Sequence, residues 1–132
     1  MSHPILGHTG PGFDRAIRID LDNLVETRCL LQANSGGGKS WTIRRILEQT
    51  FGKIQHLVID PEGEFSSLRE KYDYVLAAPQ GGDTAATPRT AKILAHRLLE
   101  LGASAILDIY ELKSYERISF VRQFLDSLVN AP

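Results

Sequence analysis

Residues 33–40, Ala-Asn-Ser-Gly-Gly-Gly-Lys-Ser, constrain this chain more than any other segment. They match the phosphate-binding loop pattern, with Ala33 where the first glycine usually stands. Gly36, Gly37 and Gly38 let the backbone turn with several N–H groups facing inward, and a following helix adds its positive end. In such a loop Lys39 reaches the β- and γ-phosphates and the Ser40 hydroxyl ligates magnesium, with Asn34 and Ser35 completing the wall. The ordinary alternative is a flexible glycine loop with an incidental lysine. The context argues against it: Cys29-Leu30-Leu31 reads as a strand before the loop, and Ile43, Ile46, Leu47 and Phe51 keep helical spacing after it, up to Gly52.

The rest of the chain alternates in the same way. Residues 1–14 hold three glycines and two prolines without a period and read as an irregular lead-in; residues 15–132 form the predicted core. Ala16 to Leu21 alternates as a half-buried strand, His56 to Asp60 is an apolar strand closed by Asp60-Pro61, and Ser67 with Glu70 suggests a capped short helix. Tyr74–Ala77 is strand-like, 78–88 is a loop, Ala91 to Leu98 is helical before Gly102, Ala105–Leu107 is a strand, and 114–130 is a helix with Ile118, Val121, Leu125, Leu128 and Val129 on one side. Strands alternating with helices predict an α/β fold: a parallel sheet flanked by helices, as in a P-loop NTPase.

Composition excludes several classes. The net charge of −1, without a basic or acidic block, excludes a protein that binds nucleic acid through a wholly positive surface. The single cysteine, Cys29, makes no intrachain disulfide and suits a reducing, cytoplasmic setting. No apolar run approaches the roughly 20 residues of a membrane span. His3, His8, His56 and His96 lack metal-ligand spacing and read as ordinary histidines.

Two apolar runs end in aspartate, at Asp60 and Asp108, the shape of a magnesium-coordinating second motif. In a nucleotide-kinase arrangement Asp60 holds magnesium through water; in ATPases with an inserted strand, an Asp-Glu pair lies on a later strand and its Glu activates water. Asp108 reads better as a simple strand end. Asp60 does not, because Asp60-Pro61-Glu62-Gly63-Glu64-Phe65 sets three carboxylates at the C-terminal end of a parallel strand, where open α/β sheets bind ligands. Trp41, the only tryptophan, follows Ser40 and reads first as packing against the sheet, with contact to the nucleotide, for which it is counted among the binding residues, as the other reading. Arg44 and Arg45 read as a solvated face, and Lys113, Tyr115, Arg117 and Arg122 give a weak basic and aromatic interleaving of the kind that contacts DNA.

The phosphate loop together with Asp-Pro-Glu-Gly-Glu resembles the HerA–FtsK superfamily of DNA-translocating ATPases, specifically the central domain of HerA-like helicases. The resemblance runs from about Ile17, through Leu21–Thr27, to Ile106–Ile109 and its helix. It implies a RecA-like core assembled as a hexameric ring around double-stranded DNA, with ATP between subunits. It further implies that Gly36 to Ser40 bind Mg·ATP and that Asp60 and Glu64 lie beside the γ-phosphate, Glu64 in a catalytic role with Lys39. Members carry an Asp-Glu strand after the helix that here spans 114–130, and later an arginine reaching the neighbouring nucleotide. The sequence stops at Asn130-Ala131-Pro132, so the expectation is a core segment that binds ATP without hydrolysing it efficiently alone and leaves a sheet position unpaired. The competing expectations are a small phosphotransferase of nucleotide-kinase type and a degenerate nucleotide-binding interaction module.

Overall fold

The computed structural model describes residues 3–132. It divides into two compact units, the first ending at Lys53 and the second spanning Ile54–Pro132.

The first unit opens with an antiparallel hairpin of β1 (Ile5–Thr9) and β2 (Arg15–Arg18), with a bulge between Ile5 and Gly7. The expected irregular lead-in over 1–14 therefore holds a strand; residues 1 and 2 lie outside the described residues. Backbone pairing, and not apolar periodicity, makes this hairpin, since every residue of β2 is exposed. The strand expected to run to Leu21 stops at Arg18, because Asp20 accepts the Asn23 N–H at 3.1 Å and caps α1 (Leu21–Glu26). Leu21 is fully buried at the start of that helix.

A second correction concerns Cys29–Leu31. This run joins neither sheet, and Leu30 is 79% exposed. A strand exists only through a neighbour's N–H and C=O groups, and three apolar residues do not supply one. The helix after the loop is as expected: α2 (Lys39–Thr50) follows Gly38 and ends before Gly52.

The second unit is built on a four-stranded parallel sheet of order β3-β6-β4-β5, with β3 Leu57–Asp60, β4 Val75–Ala78, β5 Thr84–Ala85 and β6 Ala105–Asp108. The two-residue β5 lies inside the segment expected to be loop. Two helices, α3 (Ala91–Leu101) and α4 (Ser114–Val129), pack on each other and on the sheet. Leu57 and Ile59, Val75 and Ala77, Ala105 and Leu107 meet Leu94, Leu98, Phe120 and Phe124 in one core. Side chains alternate across a strand, so Asp60, Leu76, Ala78, Ile106 and Asp108 fall on the opposite face. The capped helix expected at Ser67 is instead a 3-10 turn over Ser66–Glu70 without a side-chain cap; Asp60 organises the turn before it.

Candidate functional site

The phosphate loop lies wholly in the first unit. Gly36 and Gly38 hold φ of 80° and 84°, the left-handed region that side chains disfavour, and Gly38 is the residue before α2. Gly37 differs: a Cβ there would sit 2.7 Å from the Ala33 Cβ and 2.9 Å from the Asn34 carbonyl oxygen, whose hydrogen bond from the Gly37 N–H measures 2.8 Å. The loop is thus closed by its own backbone, with Asn34, Ser35 and Lys39 exposed. The first turn of α2 contains no acidic residue, so no carboxylate of the helix neutralises the positive end of its dipole. Thr42 returns its hydroxyl to the Gly38 carbonyl at 2.9 Å, which fixes the junction of loop and helix. An anion held by main-chain N–H groups, with Lys39 and Ser40 beside it, fits this donor set.

Trp41 does not pack against a sheet: it is 77% exposed. Of the two arginines, Arg45 donates Nε to the Leu6 carbonyl at 3.1 Å and ties α2 to β1, a role that spacing does not reveal.

In the second unit, Asp60 and Asp108 stand in register on neighbouring strands. Asp60 is 1% exposed, and its two carboxylate oxygens accept the N–H groups of Glu64 and Phe65, each at 3.0 Å. The sequence Pro-Glu-Gly-Glu thereby folds back over the strand end, with Gly63 at φ 68° making the turn. Glu62 and Glu64 are exposed.

Asp108 is the more open of the pair. It accepts the Tyr110 N–H at 3.1 Å and lines a cavity of about 270 Å³ with Glu62, Ser66, Gln80, Tyr110 and Glu111. Two clamps shape this cavity. Arg69 grips both Asp83 oxygens at 2.9 and 2.8 Å while Asp83 accepts the Leu76 N–H, holding the 79–83 loop to β4. Arg117 donates to the carbonyls of Ile109 and Tyr110 and lies over the Tyr110 ring, so it stabilises the β6–α4 loop. The reading of Asp108 as a simple strand end overlooked this cavity. No spacing signal could have found it, because the lining depends on which loops fold back over the edge.

His56 is buried, shares a 2.6 Å hydrogen bond between Nδ1 and the Tyr74 hydroxyl, and donates its main-chain N–H to the Ser104 hydroxyl oxygen. Among the described residues no group of three or more His, Cys, Asp or Glu side chains is set to hold a metal ion without other ligands. Among the described residues no helix is long and apolar enough to cross a membrane.

With this geometry in view, comparison with family models matches the chain to helicase HerA, central domain, over residues 5–130. The chain belongs to this family. The HerA match covers both units, from the β1–β2 hairpin to the end of α4. It therefore includes the phosphate loop in the first unit and the Asp60 turn in the second, and it supports an ATPase-type domain of P-loop architecture. Comparisons with curated proteins and with solved structures return no match.

Proposed function

We propose that this chain binds Mg·ATP through Asn34 to Trp41 and is the nucleotide-binding segment of a HerA-like ATPase that moves along double-stranded DNA. The observation that carries the proposal is the loop itself: two left-handed glycines flank one that approaches its own backbone, directly before a helix whose first turn lacks acid. Main-chain N–H groups of Gly36 to Ser40 would cradle the phosphates, and the Lys39 ammonium would neutralise charge on the outer ones. The Ser40 hydroxyl would hold magnesium, whose own charge offsets the oxygens that face it.

Asp60 and Glu64 have different tasks in this reading. Asp60 keeps the Glu64 backbone fixed, so that Glu64 is presented from an ordered turn and orders water or senses the nucleotide. A magnesium contact for Asp60 is proposed from the family reading alone, because both of its oxygens are buried and already accept main-chain N–H groups. Hydrolysis by the chain alone is expected to be weak: Asp60 is engaged with main chain, and an arginine contributed by a neighbouring subunit is worth roughly a thousandfold or more in such enzymes. Ring assembly, DNA contact and a cytoplasmic setting follow from the same family reading and are proposed with it.

The test is calorimetric titration of the 132-residue chain with a slowly hydrolysed ATP analogue and magnesium, beside Lys39→Ala. Saturable binding that disappears in Lys39→Ala supports the reading. A folded chain that fails to bind, or that binds equally well without the lysine, refutes it.

A further inference from the structure

The first unit has a second feature that the phosphate loop does not account for. The N-terminal half of α2 and the β1–β2 hairpin enclose an open pocket of about 350 Å³, lined by Leu6, Gly7, His8, Ile17, Trp41, Thr42 and Arg45. Its size falls at the lower end of ligand pockets, roughly 300–1,000 Å³, suited to one planar group.

Three observations bear on what that group is. Position comes first: Trp41 and Thr42 directly follow Lys39 and Ser40 on the helix, so the pocket starts one residue beyond the phosphate loop. From Trp41 to Arg45 it extends about 6 Å along the axis at 1.5 Å per residue. A molecule held by its phosphates at this helix end therefore has its remainder within reach of the pocket. Exposure comes second. Trp41 leaves 77% of its surface uncovered, Ile17 leaves 46%, and an uncovered indole beside aliphatic side chains is a stacking platform without an occupant from its own unit. Rigidity comes third. The Arg45 Nε to Leu6 carbonyl bond fixes the hairpin wall to the helix, so the pocket is preformed.

We propose that this pocket takes the base of the nucleotide whose phosphates the loop holds, stacked on Trp41, with purines favoured over pyrimidines. This inference rests on the nucleotide-binding reading above. The preference for purines follows from the stacking platform; of the polar lining, the Thr42 hydroxyl donates to the Gly38 carbonyl and the Arg45 Nε to the Leu6 carbonyl. Recognition by ring face and apolar contact tolerates any base, with larger rings gaining more contact. A site that instead hydrogen-bonded the base edge would discriminate strongly.

The experiment compares Mg·ATP, Mg·GTP, Mg·CTP and inorganic tripolyphosphate with magnesium, by calorimetry and by the fluorescence of the single tryptophan, on the chain and on Trp41→Ala and Trp41→Phe. The expected result is quenching by ATP and GTP but not by tripolyphosphate. Trp41→Ala should weaken ATP binding roughly 5- to 100-fold while leaving tripolyphosphate unchanged, and Trp41→Phe should restore most of the loss. CTP should bind more weakly than either purine nucleotide. Equal affinity for ATP and tripolyphosphate, or an equal loss of both in Trp41→Ala, overturns the base pocket while the phosphate-loop reading stands. If neither ligand binds the unaltered chain, the nucleotide reading fails and the base pocket falls with it.

Discussion

A methyl group on Gly37 would lie 2.7 Å from the Cβ of Ala33. The position where such loops usually carry a first glycine bears a side chain here, and the middle glycine of the triplet faces it. Removing that side chain would not make room, because the Asn34 carbonyl oxygen stands 2.9 Å from the same point. Gly37→Ala is therefore expected to abolish measurable nucleotide binding, and the double variant with Ala33→Gly should recover little of it. Titration with the ATP analogue decides this, with far-UV circular dichroism to confirm that both variants fold. Full recovery in the double variant would mean that the Asn34 contact is unimportant.

Asp60 and Asp108 occupy equivalent register positions and differ in their engagement. Replacing Asp60 by Ala strips acceptors from two main-chain N–H groups, one of them on buried Phe65. An unsatisfied buried donor costs about 1–3 kcal/mol, so Asp60→Ala should lower stability by at least that amount. Asp108→Ala releases only the N–H of exposed Tyr110 and should change stability by about 0.5 kcal/mol or less. Urea unfolding without nucleotide measures both, and so separates the turn-holding role of Asp60 from any effect on magnesium.

The second unit was largely legible in the sequence, for a physical reason, except in α4, where the side that carries Ile118, Leu125 and Val129 is exposed and Phe120 and Phe124 are buried instead. Its strands and helices bury apolar residues at periods of 2 and 3.6, as in Leu57 and Ile59 or Leu94 and Leu98, so local pattern and tertiary contact coincide. The first unit was less legible. Its hairpin is exposed and rich in glycine and proline, with pairing supplied by the backbone, while Cys29–Leu31 carries an apolar pattern without a sheet partner. The candidate site divides in the same way. Gly36 to Ser40 declared themselves because each glycine answers a backbone demand. The engagement of Asp60 and the openness of Asp108 depend on how residues 61–65 and 109–111 fold back, which spacing does not encode.

Phe120 and Phe124 are fully buried on one face of α4 with ring centroids 5.6 Å apart. Phe120→Ala should cost about 3–5 kcal/mol, since it leaves a cavity among rigid neighbours. Ile118, on the same helix but 71% exposed, should tolerate alanine within about 0.5 kcal/mol. Urea midpoints followed by circular dichroism give the comparison. Similar losses in the two variants would place the core on the wrong side of α4.

Burial holds the His56 imidazole below its ordinary pKa of 6.5, because taking the charged ring out of water disfavours protonation. Above 6.5 the ring is neutral in both folded and unfolded chains and contributes no pH dependence. Below 6.5 the unfolded chain takes up a proton that the folded chain resists, so stability falls with pH by up to about 1.4 kcal/mol per unit until the folded pKa is reached. The melting temperature should therefore drop between about pH 6.5 and pH 5.5, a range in which most carboxylates remain ionised. His56→Gln forfeits the stacking and hydrogen bond to Tyr74 and should be less stable at about pH 7.5, yet it should lose less on acidification. Parallel curves for the two proteins would show that His56 protonates without resistance, and that its contact with Tyr74 opens readily to water.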